Sequence, residues 1–142
     1  MRALLDVNVL IALLDPDHSS HDAAMDWFAR NAQKGWASCP ITQNGCIRIM
    51  CSPAYPSAFP ARVVMQRLAD ACRQSVHEFW PDAVSLLDDN VLDPARVISY
   101  RQITDIYLLA LAVAHGGAFV TFDSNIPLTA LRKVGPKHLI VL

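Results

Sequence analysis

Three aspartates of this chain share one kind of position, at the boundary of an apolar segment. Asp6 follows residues 3–5, Asp105 precedes residues 106–114, and Asp123 follows residues 119–122. An ionised carboxylate at the end of a buried element loses solvation, and that loss is costly unless a cation or hydrogen-bond donors compensate it. Taken singly, each aspartate can be explained as a helix cap or a turn residue. The recurrence of the pattern indicates a shared site.

Cations of the chain itself are too few near these aspartates to neutralise all three. The sequence has only three lysines, at positions 34, 133 and 137, and the other nine basic residues are arginines. If the carboxylates converge, they repel one another, and a divalent metal ion is the simplest common partner. Two or three carboxylates are enough for Mg²⁺, and a second ion about 4 Å away is common in enzymes that cleave phosphodiesters. The three aspartates therefore point to metal-dependent chemistry on phosphate esters.

The elements that must position these residues alternate along the chain. Short apolar runs predict strands at residues 2–5, 36–39, 76–80, 118–122 and 138–142. Helical periodicity predicts helices at residues 7–14, 21–34, 43–50, 61–74, 82–88, 94–98 and 128–132, and a buried helix that contains Asp105 and ends at Gly116. Ser20 and Thr104 are the predicted N-caps of two of these helices.

Alternating strands and helices are typical of a parallel sheet covered by helices on both faces. We therefore predict an α/β fold, a three-layer α/β/α arrangement with a central parallel sheet of about five strands. Ligands of such folds bind beyond the carboxyl ends of the strands. Asp6, Asp105 and Asp123 face one crevice if the first and fourth strands are neighbours.

Length and composition fit one folded domain over residues 1–142. The chain is 53% hydrophobic with a net charge of −1, so overall charge gives no indication of nucleic-acid binding. Its four cysteines have no C-x-x-C spacing, which favours reduced thiols. The apolar run at residues 9–14 is too short to span a membrane and lacks a basic leader. We expect a cytoplasmic protein without membrane contact.

Four segments in order resemble the motifs of PIN-domain ribonucleases, and most closely those of VapC toxins from type II toxin–antitoxin pairs. The resemblance covers essentially the whole chain and rests on residues 5–10 (LDVNVL), residues 39–45 (CPITQNG) with Arg48, Thr104-Asp105 with Leu108 and Ala112, and Thr121-Phe122-Asp123. It implies a sheet in the order 3-2-1-4-5, dependence on Mg²⁺ or Mn²⁺, and endonucleolytic cleavage of RNA. It also implies a homodimer and a cognate VapB-like antitoxin that blocks the site.

The same resemblance implies roles for individual residues. Asp6, Asp105 and Asp123 match the family's acidic metal-site positions and are the expected catalytic residues. Asn8 matches a polar residue that orients the first aspartate by a hydrogen bond. The remaining expected supports of the site are Gln43, Thr104 and Thr121, with Thr42 as a further candidate. Arg48 is the best candidate for a contact with an RNA phosphate.

One position departs from the family pattern, because the motif after the second strand usually contains a glutamate and here has Gln43. Glu78 is the only glutamate of the chain and lies in the predicted third strand. A glutamine can coordinate through its carbonyl oxygen but brings no negative charge. An active nuclease remains the prediction, because three carboxylates are left. The alternative is a catalytically weak PIN domain that serves as an RNA- or antitoxin-binding module.

Two other acidic-pocket folds are disfavoured by the motifs. A receiver domain requires paired acids after the first strand and a lysine after the fifth, whereas here Asp6 stands alone and the fifth strand ends the chain. A phosphatase of the haloacid dehalogenase type requires D-x-D, but residue 8 is asparagine.

Overall fold

The structure, a computed structural model, describes residues 1–142. Its strands are β1 (Ala3–Leu5), β2 (Trp36–Ser38), β3 (His77–Phe79), β4 (Ala118–Thr121) and β5 (Leu139–Val141). Its α-helices are α1 (Val7–Leu14), α2 (His21–Asn31), α3 (Pro40–Met50), α4 (Ala61–Cys72) and α5 (Ile103–Ala114). No helix is both long and apolar enough to cross a membrane.

The five strands form one parallel sheet in the order β3-β2-β1-β4-β5, which confirms the predicted order. β1 lies at the centre, with Leu4 paired to Ala37 of β2 on one side and to Phe119 of β4 on the other. Because the strands are parallel, their carboxyl ends meet at one edge of the sheet. Asp6 leaves the sheet at this edge, beside the end of β4.

The sheet separates two hydrophobic cores, which confirms the three-layer arrangement. Side chains of consecutive strand residues point to opposite faces. Leu4 and Phe119 belong to the core beneath α5, whereas Leu5 and Val120 belong to the core beneath the helices α1, α3 and α4. This alternation fixes the strand register, since a slip of one residue would turn each set of apolar side chains to the wrong face.

Side chains cap the N-termini of the two helices α1 and α3, which begin beside the carboxyl edge. α1 covers the predicted residues, with Asp6 as its N-cap. α3 begins at Pro40, three residues before the predicted start. Proline is favoured at a first helical position because it has no N–H to leave unpaired. The Thr42 hydroxyl accepts a hydrogen bond from the Cys39 N–H at 3.0 Å, so Thr42 serves as a cap of this helix.

Several predicted helix details were wrong. Residues 82–88 form no helix, because Ser85 and Asp88 bind nearby backbone N–H groups and offer the backbone an alternative to helical bonding. The predicted segments 94–98 and 128–132 are short 3₁₀ turns at Pro94–Arg96 and Leu128–Ala130. Ser20 makes no side-chain cap bond.

Two contacts hold α1 against α3 and the loop that follows α3. The Tyr55 hydroxyl, in the loop between α3 and α4, donates a hydrogen bond to Asp15 at the end of α1. Asp15 is only 4% exposed, and this hydrogen bond holds the pKa of its carboxyl below the usual value. Gly45 of α3 lies so close to α1 that an added Cβ would be 2.7 Å from Cγ2 of Val7, the residue after Asp6.

Candidate active site

Asp6 is the buried member of the three aspartates. It is 7% exposed, and its Oδ1 accepts a hydrogen bond from the Val7 N–H at 2.7 Å. Its Oδ2 accepts one from the Thr121 hydroxyl, also at 2.7 Å. Burial raises the pKa of Asp6, these hydrogen bonds oppose the rise, and the negative charge of Asp123 adds to it. The side chain is thus held in place by two donors while retaining lone pairs for a further partner.

Asp105 lies in the first turn of α5 and is partly buried. Burial is the largest cause that raises its pKa to about 6, and the charges of Asp6 and Asp123 raise it further. The charge of Asp123 thus acts on both Asp6 and Asp105, and that of Asp6 acts on Asp105, so the three carboxylates lie near one another. The helix places Asp105 there because α5 begins at the carboxyl edge and runs back across the sheet face.

Asp123 stands at the rim and is exposed. Its Oδ1 accepts a hydrogen bond from the Asn125 N–H at 2.7 Å, which closes a tight turn after β4. Its own N–H donates to the Thr121 hydroxyl oxygen at 3.1 Å. Thr121 therefore connects two of the aspartates, since the same hydroxyl donates to Asp6 and accepts from Asp123.

The three carboxylates have no cationic side chain as a partner. The ion pairs of the structure join Arg2 to Glu78, Arg73 to Asp70 and Arg96 to Asp93, all outside the site. No group of three or more acidic, histidine or cysteine side chains forms a ready-made ligand cluster. Ionised carboxylates repel one another, so drawing them around a common point requires a cation. Their chemistry as hard oxygen donors suits Mg²⁺ or Mn²⁺.

The predicted supporting residues fall into two groups. Thr121 is fully buried and bonds to the aspartates as described above. Asn8 is exposed and does not make the predicted bond to Asp6, whose donors are Val7 and Thr121. Thr104 is also exposed, and its predicted capping role was wrong. α5 begins one residue before Thr104 and follows a 3₁₀ turn, Tyr100–Gln102, that is capped by Ser99.

Gln43 and Arg48 both lie on α3, at different distances from the carboxyl edge. Gln43 is in the first turns, and its Nε2 donates to the Ser38 hydroxyl at 2.9 Å. Arg48 is eight residues beyond Pro40, which corresponds to about 12 Å along the helix axis. It is exposed and lines an open cavity of about 270 Å³ that includes none of the three aspartates. A phosphate contact of Arg48 stays a prediction.

Sequence reasoning missed Ser38 and His77. Ser38 ends β2, is fully buried, and binds both Gln43 and His77 Nε2, the latter at 2.8 Å. The available signal was a single hydroxyl residue in the otherwise apolar run Trp36-Ala37-Ser38-Cys39. His77 had no signal in its spacing, because its partner lies 39 residues away.

Comparison with known sequences agrees with this geometry. The PIN domain family profile matches residues 3–131. Ribonuclease VapC44 of Mycobacterium tuberculosis is 52% identical over 142 residues, which is the full length of both chains. Ribonuclease VapC39 of the same organism is 45% identical over 126 residues, covering 87% of this chain and 90% of the relative.

Solved structures show the same fold at low identity. The VapC20 structure from M. tuberculosis, described as a sarcin–ricin-loop-cleaving toxin, aligns with a TM-score of 0.61 and 12% identity, covering 94% of this chain and 99% of that one. VapBC2 of Rickettsia felis, bound to a promoter DNA fragment, aligns with a TM-score of 0.58 and 14% identity, covering 100% and 98%. The chain therefore belongs to the PIN-domain family, and its full-length identity to VapC44 places it among the VapC proteins.

Proposed function

We propose that this protein is a Mg²⁺-dependent endoribonuclease that acts as the toxin of a VapBC-type pair. The observation that carries the proposal is the shared environment of Asp6, Asp105 and Asp123 at the carboxyl edge, without a cationic side chain among them. The names of the relatives, VapC44 and VapC39, both called ribonucleases, support RNA as the substrate.

The residues present suit a divalent ion. Asp6, Asp105 and Asp123 would hold it, and Mn²⁺ is an acceptable substitute for Mg²⁺. When bound, the ion supplies Lewis acidity toward a phosphodiester. Thr121 keeps one Asp6 oxygen fixed and the start of the Asp123 turn in place, so two of the three ligands have a defined position before substrate arrives. Asp105, whose pKa is raised to about 6, would bind the ion as a carboxylate.

We also propose a VapB-like antitoxin as partner, together with assembly of the chain into a homodimer. The solved VapBC2 complex of R. felis supports the first of these. Co-expression with a candidate VapB-like protein, followed by size-exclusion chromatography with light scattering, tests both. A stable complex that suppresses RNA cleavage is the expected result.

The experiment for the activity is RNA cleavage by antitoxin-free protein, with Mg²⁺ and with EDTA. Asp6→Asn, Asp105→Asn and Asp123→Asn should each reduce cleavage to the EDTA background while the circular dichroism spectrum is retained. Asp26→Asn is the matched control, because Asp26 is exposed on α2, far along the chain from the site. Cleavage that continues in EDTA or in all three variants contradicts the proposal.

A second candidate is a catalytically weak PIN domain that binds RNA or the antitoxin. Gln43 favours it, because a glutamine brings no charge to a position where the family usually has a glutamate. The two candidates differ in a simple measurement. RNA that is retained in a gel-shift assay but never cleaved, with any divalent ion, supports the binding module.

A further inference from the structure

A chain of hydrogen bonds runs from the outer strand β3 to Gln43. The buried Ser38 hydroxyl is its central member, with Gln43 Nε2 at 2.9 Å and His77 Nε2 at 2.8 Å. The Cys72 thiol lies 3.9 Å from the same oxygen, a weak additional contact. The His77 ring packs on Trp36, with ring centroids 4.4 Å apart. These side-chain contacts accompany the backbone pairing that joins β2 to β3.

The hydrogen bonds of Ser38 run in one direction. Gln43 Nε2 donates to the Ser38 oxygen, which leaves the single Ser38 hydroxyl hydrogen for another acceptor. Burial lowers the pKa of the His77 imidazole, so the neutral ring is favoured, and Nε2 of a neutral ring that carries its proton on Nδ1 accepts this hydrogen at 2.8 Å.

This direction decides which end of the Gln43 amide faces inward. With its hydrogen used by His77, Ser38 can only accept from Gln43, so the amide nitrogen must point toward Ser38. The amide oxygen Oε1 then points away. It has no hydrogen-bond partner in the protein and is not among the buried unpaired atoms, so it is open to solvent.

Gln43 also lies on the site side of the fold. β2 ends next to β1, and the pairing of Leu4 with Ala37 puts Ser38 level with Leu5, the residue before Asp6. Two residues after Gln43, Gly45 packs directly on Val7, the residue after Asp6. Gln43 therefore lies on the β2 side of the carboxyl edge, beside the point where Asp6 leaves the sheet.

We propose that Ser38 and His77 are positioning residues of the nuclease site, which hold the Gln43 amide so that its oxygen, and never its NH₂ group, faces a divalent cation or the water around it. The inference rests on the proposed function. Its chemical basis is that hard cations take oxygen ligands, whereas an amide NH₂ group turned toward the cation repels it. Both ends of a carboxylate are oxygen atoms, so a glutamate at this position needs no fixed orientation, whereas a glutamine must be held with its oxygen toward the cation.

The test uses two histidines whose rings each pack against a tryptophan, His77 tilted on Trp36 and His115 stacked on Trp80. His77→Phe keeps an aromatic ring on Trp36 but removes the acceptor, so the Ser38 proton turns to Gln43 Oε1 and reverses the amide. His115→Phe is the matched control, since His115 stacks on Trp80 at 4.3 Å and lies at the far end of α5. Calorimetric titration with Mn²⁺ should show about tenfold weaker binding for His77→Phe, as for other residues that orient a metal ligand, and no change for His115→Phe.

A double-mutant cycle separates orientation from a general loss of structure. If His77 acts through Gln43, His77→Phe has no further effect on Mn²⁺ affinity in a Gln43→Ala background. Equal losses in both backgrounds, or wild-type affinity of His77→Phe, overturn the inference. Ser38→Ala is the second variant should His77→Phe fail to fold, and it is expected to weaken binding to a similar degree.

A spectroscopic readout is independent of activity. In ¹⁵N-labelled wild-type protein the side-chain NH₂ of Gln43 should exchange slowly with solvent, and Ser38→Ala should make it exchange fast. Fast exchange in the wild type overturns the inference. If the wild-type protein cleaves RNA with Mn²⁺ but the double-mutant cycle shows no coupling between Gln43 and His77, the inference is overturned and the proposed function stands. Wild-type protein that binds no Mn²⁺ overturns both.

Discussion

Replacing Asp105 by asparagine should stabilise the metal-free protein while it removes activity. The carboxyl of Asp105 has its pKa raised from 3.8 to about 6, chiefly by burial and then by the charges of Asp6 and Asp123. Because the folded-state pKa is raised, the group stabilises the fold fully below about pH 4 and loses that contribution as pH rises through about 6. At neutral pH the ionised Asp105 lowers the free energy of unfolding, and a bound cation would offset this loss.

The size of the effect follows from the pKa difference. About two pKa units correspond to roughly 3 kcal/mol at neutral pH as an upper limit. Asp105 is only partly buried, so solvent screening reduces this to about 1.5 kcal/mol. Losing a negative charge in the first turn of α5 costs about 0.5 kcal/mol through the helix dipole. The net gain for Asp105→Asn is about 1 kcal/mol, or a melting temperature about 3–5 °C higher for a domain of this size.

Thermal unfolding in EDTA at pH 7.5 and at pH 4 measures this prediction. The variant should be more stable than wild type at pH 7.5, and the difference should shrink or reverse at pH 4, where the wild-type carboxyl is largely protonated. Added Mg²⁺ should raise the melting temperature of wild type more than that of the variant. A variant that melts below wild type at pH 7.5 in EDTA, or an equal gain at both values of pH, refutes the electrostatic reasoning.

Three further predictions concern the surroundings of the site. Gly45→Ala forces a Cβ against Val7. It should lower the free energy of unfolding by about 1–3 kcal/mol, and it should also reduce RNA cleavage. A variant with wild-type stability in urea titrations and wild-type cleavage contradicts the close approach of α3 to α1. Tyr55→Phe removes the donor to Asp15 and should cost about 1.5–3 kcal/mol at pH 7. Since the pKa of Asp15 is lowered, that cost should diminish as pH falls below about 4, and a pH-independent difference in urea unfolding argues against it. Gln43→Glu adds a charge at the carboxyl edge and should tighten Mn²⁺ binding; weaker binding by calorimetry contradicts the placement of residue 43.

Apolar patterning and the three aspartates were sufficient to predict the sheet, its two covered faces and the carboxyl edge. α1 was predicted within its observed bounds because an N-cap aspartate directly precedes an apolar run. The sheet order came from the resemblance to PIN domains, since the periodicity of short strands carries no information on which strands are neighbours. The predicted starts of α3 and α5 were wrong because local capping sets them, through Pro40 at the start of α3 and through the Ser99-capped turn before α5.

The sequence indicated the acidic residues of the candidate site but not the hydrogen bonds between them. A carboxylate at the end of an apolar run is visible in the sequence, and so is a threonine in the next motif. That Thr121 bridges Asp6 and Asp123 depends on β4 lying beside β1, which is a long-range pairing. The contact of Ser38 with His77 has the same origin, because β2 and β3 are joined only through α3 and α4.

The claim on which the account depends is that Asp6, Asp105 and Asp123 serve one metal site. An anomalous difference map from crystals grown with Mn²⁺ tests it most directly. We predict a peak at the carboxyl edge of the sheet, with oxygen atoms of all three aspartates as direct or water-mediated ligands. A Mn²⁺ peak at another place, or aspartates that bind no ion at saturating Mn²⁺, contradicts the account.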